Sequence, residues 1–132
     1  MEIIYKSDCR PEVEDIIDVY KSSAIKRPIL DRERIEKMFD NSNLIVTAWH
    51  NDKLVGISRA LTDYCYSCYL SDLAVRHEYQ KQGIGKELVY LTKKEVGERT
   101  TLILLAAPEA MNYYPKIGLE KLSNAFAIRR TD

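Results

Sequence analysis

The sequence predicts a mixed α/β (α+β) domain with a mostly antiparallel central sheet that is flanked by helices. Two amphipathic helical patterns precede a series of β-branched and aromatic runs, and a hairpin turn joins the first two of these runs. A glycine-rich stretch then separates the third run from another helix and an apolar strand. Residues 1–132 have the length of one domain, so a single domain is expected.

Helical periodicity near the N-terminus predicts two helices on the sheet. After a short strand near residues 3–6, Asp8 and Pro11 are start signals for the first helix. Asp31 is a suitable N-cap for the second helix. The apolar positions that recur at helical spacing are Val13, Ile16, Ile17 and Tyr20 in the first helix, and Ile35, Met38 and Phe39 in the second.

The β-type runs predict most of a sheet. Residues 44–49 and 54–61 form an antiparallel hairpin, because the residues between them have turn chemistry. Another strand extends from about residue 65 to 75. Residues 101–107 are entirely apolar after their opening threonine, which predicts a centrally buried strand that runs parallel to its neighbour. Residues 119–129 predict a closing strand or pair of strands.

The stretch from Gln80 to Gly85 predicts an anion-binding loop. It lies between the strand that ends at Val75 and a helix over residues 86–96. Gly83 and Gly85 allow a tight turn and a close approach of the backbone to a ligand. The N-terminus of the following helix adds its positive dipole end, so a phosphate group is the expected ligand.

Two common phosphate-binding patterns do not fit this loop. The Walker A pattern needs a glycine at the position of Gln80 and a serine or threonine at that of Glu87. The dinucleotide fingerprint needs a glycine or alanine at the position of Leu88, and it also needs a carboxylate about twenty residues further on. Both patterns are therefore disfavoured.

The remaining pattern, Gln80-x-x-Gly83-x-Gly85, resembles the signature of the GNAT superfamily of acyl-CoA-dependent N-acetyltransferases. The wider run over residues 73–88 is similar to that signature almost residue for residue, and the run over residues 113–119 resembles the family's aromatic-Tyr-x-x-x-Gly-aromatic element. Pro115 and Leu119 depart from that element. The resemblance implies a sheet with a splayed central strand pair and a β-α-β pyrophosphate-binding loop.

The resemblance implies acetyl-CoA as the cosubstrate. Its pantetheine arm would lie in the gap between the strand that ends at Val75 and the strand at residues 101–107, where an unpaired strand edge can bind an amide-bearing arm. The backbone of Leu73, Ala74 and Val75 would pair with this arm, and an N–H group, that of Leu73, would stabilise the oxyanion. The residues that would hold the pyrophosphate are Lys81, Gln82, Gly83, Ile84, Gly85 and Lys86.

The resemblance also implies that Tyr114, four residues before Gly118, is the general acid for the coenzyme A thiolate. No base is evident, because Tyr69 and Ser71 occupy the positions at which relatives often carry one. Asp72 is the nearest carboxylate and is a candidate base. Strict alternation turns it to the other face of the sheet unless a bulge intervenes, and a water relay is the alternative.

Charge balance and apolar patterns limit the binding partners and the cellular location that are expected for this protein. Lysine plus arginine and aspartate plus glutamate both number 20, and the pI is about 6.7, so nucleic acid is not an expected partner. No apolar run reaches the length that spans a bilayer, and the N-terminus has no export pattern. A cytoplasmic protein with no membrane contact is expected. Cys65-x-x-Cys68 has no second Cys/His pair, so no metal site is predicted.

Three functions are compatible with this sequence. The first is N-acetylation of a primary amine of a small molecule, and the second is the same chemistry on a protein N-terminus or a lysine. The third is an acyl-CoA-binding regulatory module without activity. The resemblance also allows a homodimer formed through the last strands.

Overall fold

The computed structural model describes residues 1–131 and contains a five-stranded sheet. The strands are adjacent in the order in which they occur in the chain. The first four are antiparallel to their neighbours, and the last is parallel to the fourth. This arrangement confirms the predicted mixed, mostly antiparallel sheet. The strands are β1 (Ile4–Lys6), β2 (Leu44–His50), β3 (Lys53–Thr62), β4 (Ser67–Val75) and β5 (Thr101–Ile103).

Helices cover both faces of the sheet. One hydrophobic cluster joins the first two helices to the sheet, and a second cluster packs the third helix against the opposite face. A short fourth helix follows β5. The helices are α1 (Val13–Ser23), α2 (Arg32–Asp40), α3 (Ile84–Val96) and α4 (Tyr113–Lys116), and single 3-10 turns lie at His77–Tyr79 and Pro108–Ala110.

The predicted helix signals are largely confirmed. The Asp31 side chain accepts a hydrogen bond from the Arg34 backbone N–H and caps α2. Helix α1 begins two residues after Pro11 and has no side-chain cap. Val19 is buried in α1, whereas Ile17, which the pattern placed in the core, is only half-buried.

Strand β4 contains a bulge at Ser71. Arg59 of β3 pairs with Asp72, whereas the next residue, Ala60, pairs with Leu70, so Ser71 is the extra residue. The bulge shifts the alternation of side chains by one position. Asp72 therefore lies on the face covered by α1 and α2, together with Ala74.

The pairing of β4 with β5 is short. It extends from Ser67–Thr101 to Tyr69–Ile103, after which the chain leaves the sheet. The buried central strand that was predicted for residues 101–107 is wrong: β5 is an edge strand, and Ile103 and Leu105 are 40% and 63% exposed. Apolar composition cannot distinguish an edge strand from a central one. Among residues 1–131, the part of β4 after Tyr69 has no strand partner on the β5 side, which confirms the splay.

The closing strand that was predicted for residues 119–129 is also absent from the described residues. Every residue from 120 to 131 is exposed, and Phe126 and Ile128 are 98% and 104% exposed. An alternating apolar pattern forms a strand only when a sheet edge is available as a partner. This segment pairs with no strand of its own described chain.

None of the helices in residues 1–131 is long and apolar enough to cross a membrane. The single domain over residues 1–132 and the cytoplasmic location stay predictions.

Candidate active site at the splayed strand β4

The glycine loop contains a row of backbone N–H groups that have no acceptor within the described residues. Lys81 and Gly83 have positive φ angles of 65° and 87°, which fold the chain tightly before α3 begins at Ile84. Within residues 1–131, no hydrogen bond is donated by the backbone N–H groups of residues 81–86. Six consecutive donors at a helix N-terminus form a ready site for a phosphate anion.

Side chains of the preceding segment hold the loop in place. Gln80 donates from Nε2 to the Val75 carbonyl at 2.9 Å, which ties the loop to the end of β4. Arg76 is buried and donates to the Leu54 carbonyl at 2.6 Å. Arg76 is therefore engaged in the fold, whereas the side chains of Lys81 and Lys86 are exposed beside the donors.

Gly85 is the point at which three elements of the site meet. A Cβ atom at this position would lie 2.9 Å from the Tyr113 hydroxyl and 3.9 Å from a Leu73 methyl group. Helix α4 thus approaches the first turn of α3 across the end of β4. Any side chain at residue 85 would compete with whatever occupies this narrow space.

Tyr114 lies in α4, with its ring 5.2 Å from that of Tyr113 in an edge-on arrangement. Pro115 is compatible with this short helix, because the first turn of a helix needs no N–H donor. Burial raises the pKa of Tyr114, the neighbouring Tyr113 adds to the increase, and the positive charge of Arg27 partly offsets it. The phenol therefore holds its proton at neutral pH, as a general acid must.

Asp72 lies at the centre of a buried polar cluster on the α1/α2 face. Its side chain is fully buried and accepts hydrogen bonds from Arg59 Nε at 2.6 Å, from Arg27 Nε at 2.6 Å and from the Tyr20 hydroxyl at 2.7 Å. A second bond from Arg59, from Nη2 at 3.2 Å, and one from the Ser71 hydroxyl at 3.1 Å bring the total to five within the described residues. The bulge places the carboxylate beneath the sheet, where both oxygens are occupied.

This environment does not suit a general base. Burial raises the pKa of Asp72, but the hydrogen bonds and positive charges of Arg59 and Arg27 outweigh that effect and hold the pKa below its usual 3.8. A carboxylate with a lowered pKa is a weak proton acceptor. The bulge that the sequence analysis considered is present, and it moves Asp72 from the face that strict alternation from Cys68 would give it to the face covered by α1 and α2.

The partners of Asp72 were not predicted from the sequence. Arg59 lies in the middle of the apolar strand β3, and a charged residue at such a position needs a buried counter-charge. That signal was available. Arg27 lies in an irregular segment between α1 and α2, and Tyr20 resembles any other core aromatic, so neither carries a comparable signal.

The cysteine pair is divided between two environments. Cys65 is exposed in the turn between β3 and β4, whereas Cys68 is buried at the start of β4. No group of three or more potential ligands that could hold a metal ion occurs among the residues that the structure describes.

Comparison with known proteins identifies the family. Residues 13–129 match the family model described as an acetyltransferase (GNAT) domain, and the chain therefore belongs to the GNAT acetyltransferase family. It is similar to an uncharacterized N-acetyltransferase of Pyropia yezoensis, with 27% identity over 103 residues, which is 74% of this chain and 58% of the relative. A related protein of Prochlorococcus marinus is 30% identical over 70% of this chain and 53% of its own length. The chain thus spans little more than half the length of these curated relatives.

Solved structures share the fold. A probable acetyltransferase of Staphylococcus aureus matches with a TM-score of 0.81 and 24% identity, over 98% of this chain and all of that chain. An aminoglycoside N-acetyltransferase in complex with CoA matches with a TM-score of 0.73 and 14% identity, over 99% and 96% of the two chains. At these identities, the likeness establishes the shared fold and not a substrate.

The polar cluster predicts a large stability effect at Asp72. Replacing Asp72 with Asn leaves two guanidinium groups without a charged partner in a buried site, so the free energy of unfolding should fall by about 3–5 kcal/mol. Asp40→Asn, which removes an exposed ion pair with Arg10, is the matched control and should cost about 0–1 kcal/mol. Denaturant unfolding measures both. Equal costs would show that the cluster contributes no more than a surface pair.

The same cluster predicts a dependence on pH. The pKa of Asp72 is lower in the folded protein than in the unfolded chain, so its contribution is present above pH 3.8 and is lost as the pH falls through the folded value. Wild-type protein should therefore lose stability more steeply than Asp72→Asn below pH 3.8. Parallel acid unfolding curves would contradict this.

Proposed function

We propose that this protein transfers the acetyl group of acetyl-CoA to a primary amine of a small molecule. The observation that carries the proposal is the row of six unbonded N–H groups in residues 81–86, within the described chain, beside the unpaired edge of β4. A ligand with both a pyrophosphate and an extended amide arm fits this combination. Family membership supports acyl transfer, and the CoA complex of a protein with the same fold supports the cofactor.

The residues present fit the cofactor in two places. The backbone of Leu73, Ala74 and Val75 follows the point where β5 departs, so the polar groups that it turns away from β3 would be available to the pantetheine arm, apart from the Val75 carbonyl that accepts from Gln80. The pyrophosphate would bind the N–H groups of residues 81–86, and the exposed Lys81 and Lys86 would add positive charge.

Acetyl-CoA supplies a thioester carbon that an amine can attack. The Leu73 N–H would stabilise the negative charge that develops on the carbonyl oxygen, because a fixed donor needs no reorganisation during the reaction. Tyr114 would donate its proton to the thiolate sulfur as the carbon–sulfur bond breaks. The amine proton would pass to a water molecule held by backbone carbonyl groups, since the Asp72 carboxylate is engaged with Arg27 and Arg59.

The acceptor class is tested by measuring release of the coenzyme A thiol. Small amines, amino acids, and peptides with free N-termini or lysines should be supplied in turn with acetyl-CoA. Turnover of small amines well above that of peptides is the expected result. Preferred turnover of peptides would instead favour acetylation of protein N-termini or lysines. Cofactor binding without turnover of any acceptor would favour a regulatory module.

Replacing Gly85 with Glu should abolish tight binding of acetyl-CoA. The side chain would enter the space between α3, Leu73 and Tyr113, and its charge would repel the pyrophosphate. Tyr90→Glu, at an exposed position of the same helix, adds the same charge away from the loop and is the control. Titration calorimetry measures both affinities. Undiminished affinity in a folded Gly85→Glu protein would refute the proposed loop.

Replacing Tyr114 with Phe should lower turnover by roughly 10² to 10⁴ and leave the affinity for acetyl-CoA intact. The ring and its packing remain, and only the donated proton is lost. Tyr113→Phe is the matched control, because it removes the same group from the adjacent residue. Steady-state kinetics with an identified acceptor distinguish a catalytic role of Tyr114 from a packing role. Equal effects of the two substitutions would make Tyr114 a packing residue.

We further propose that two copies associate through their C-terminal segments. Residues 120–131 are exposed throughout, and β5 leaves one edge of the sheet open in the described chain. The C-terminal segment of one copy can pair with β5 of the other copy. This pairing would bury Phe126 and Ile128 together, because residues two positions apart in a strand lie on the same face.

This association should be visible in solution. Sedimentation equilibrium should give a dimer for the wild type and a monomer for Phe126→Asp/Ile128→Asp, because a charge in a buried strand pair is costly. Leu30→Asp, at a fully exposed position in the segment between α1 and α2, should remain dimeric. A monomeric wild type, or a dimer that persists in the double variant, would contradict the proposal.

A further inference from the structure

The charges of the cluster at the β4 bulge do not balance. Two guanidinium groups, those of Arg27 and Arg59, contact one carboxylate, that of Asp72. The third polar partner, Tyr20, is neutral, because burial raises the pKa of its phenol far above 10. The cluster therefore carries one positive charge in excess among its described members.

Arg59 alone supplies both a counter-charge and a hydrogen bond to each oxygen of Asp72. It donates to both carboxylate oxygens, from Nε at 2.6 Å and from an Nη atom at 3.2 Å, and its side chain is only 9% exposed. Such a two-pronged pair is the usual way to bury a carboxylate. The second arginine is thus not needed to bury this carboxylate.

Arg27 is the member of the cluster that reaches the surface. Its side chain is 23% exposed, and its Nε, Nη1 and Nη2 atoms each donate one hydrogen bond, to Asp72, to the Lys26 carbonyl and to the Ser71 carbonyl. A guanidinium group has five N–H donors. Within residues 1–131, two N–H groups of Arg27 therefore have no partner.

The location of Arg27 connects it to the reacting end of the cleft. It binds the backbone of the bulge residue Ser71, two positions after Tyr69, where the pairing with β5 ends. Burial raises the pKa of Tyr114, and the positive charge of Arg27 offsets part of that increase. The guanidinium group of Arg27 thus lies at the bulge, two residues beyond the end of the pairing between β4 and β5, and the segment between α1 and α2 carries it there.

We propose that Arg27 binds an anionic group of the acceptor, so that the acceptor is an amine that also carries a carboxylate. A carboxylate matches the fork of the guanidinium group and neutralises the excess charge of the cluster. A phosphate monoester has the same recognition chemistry and is the second probe. This inference rests on the proposed function, because it assigns the substrate class of that site. The positive charge also disfavours the ammonium form of a nearby amine, which helps to present the neutral nucleophile.

The test compares probes that differ only in the anion. Straight-chain ω-amino acids of increasing length are matched with their amides, which keep the same amine and lose the negative charge. Ethanolamine phosphate is matched with ethanolamine. Affinity for the protein with coenzyme A bound is measured by calorimetry, so that the result does not depend on turnover, and kcat/KM is measured in parallel.

For the wild type, we expect at least one carboxylate to bind about 10 to 100 times more tightly than its amide, as for a hydrogen bond to a charged group. In Arg27→Gln this ratio should fall close to one, and Arg27→Lys should restore part of it. Arg32→Gln removes an exposed arginine that pairs with Glu14 and should leave the ratio unchanged. A merely structural role of Arg27 would weaken both members of a pair equally.

Two results would overturn the inference: a wild type without preference for any anionic probe, and an unchanged ratio in Arg27→Gln. If Arg27→Gln fails to fold, the wild-type ratios and Arg27→Lys decide. A preference for ethanolamine phosphate alone would assign the site to a phosphate group instead of a carboxylate. Failure of the proposed function looks different, because the protein would then neither bind acetyl-CoA nor release thiol with any acceptor.

Discussion

The site depends on one constraint in the sheet, which is that β4 is paired along its whole length on one side only. Its hydrogen bonds with β3 run from Cys68 to Val75, whereas those with β5 stop at Tyr69. The rest of β4 therefore presents an open edge in the middle of the molecule. The loop follows after β4, and the N–H groups of residues 81–86 donate no hydrogen bond within the described chain. A strand edge can pair with an amide-bearing arm, and a helix N-terminus can bind a phosphate group. A ligand that has both parts needs the two features side by side.

The bulge at Ser71 determines which side chains of β4 face each layer of helices. Cys68 and Val75 both face the cluster under α3 although they are seven positions apart, an odd step that strict alternation would place on opposite faces, and Asp72 faces α1 and α2. Charged groups replace apolar packing at this place in the core. A buried ion cluster is costly to assemble, and its retention here is consistent with a role in positioning Arg27 and the bulge.

Much of this architecture was predictable from local patterns. Helical spacing and the Asp31 cap each determine the conformation of a few neighbouring residues, and both were largely found as expected. Gly83 makes the predicted tight turn, whereas Gly85 lies in the first turn of α3, which begins two residues earlier than predicted. The errors lie where pairing partners decide the outcome. Residues 101–107 and 119–129 have strand-like composition, but the first is mostly outside the sheet and the second has no partner in the described chain. The cluster around Asp72 joins segments that lie far apart in the chain, so its membership could not be inferred from spacing.

The central claim is that the cleft between β4 and β5 holds acetyl-CoA, and a crystal structure of the complex tests it most directly. The account predicts pantetheine amides hydrogen-bonded to the backbone of Leu73 to Val75, and a pyrophosphate on the N–H groups of residues 81–86. The thioester should lie beside the Tyr114 hydroxyl. An ordered cofactor bound elsewhere, or one that leaves those N–H groups without contact, would contradict it.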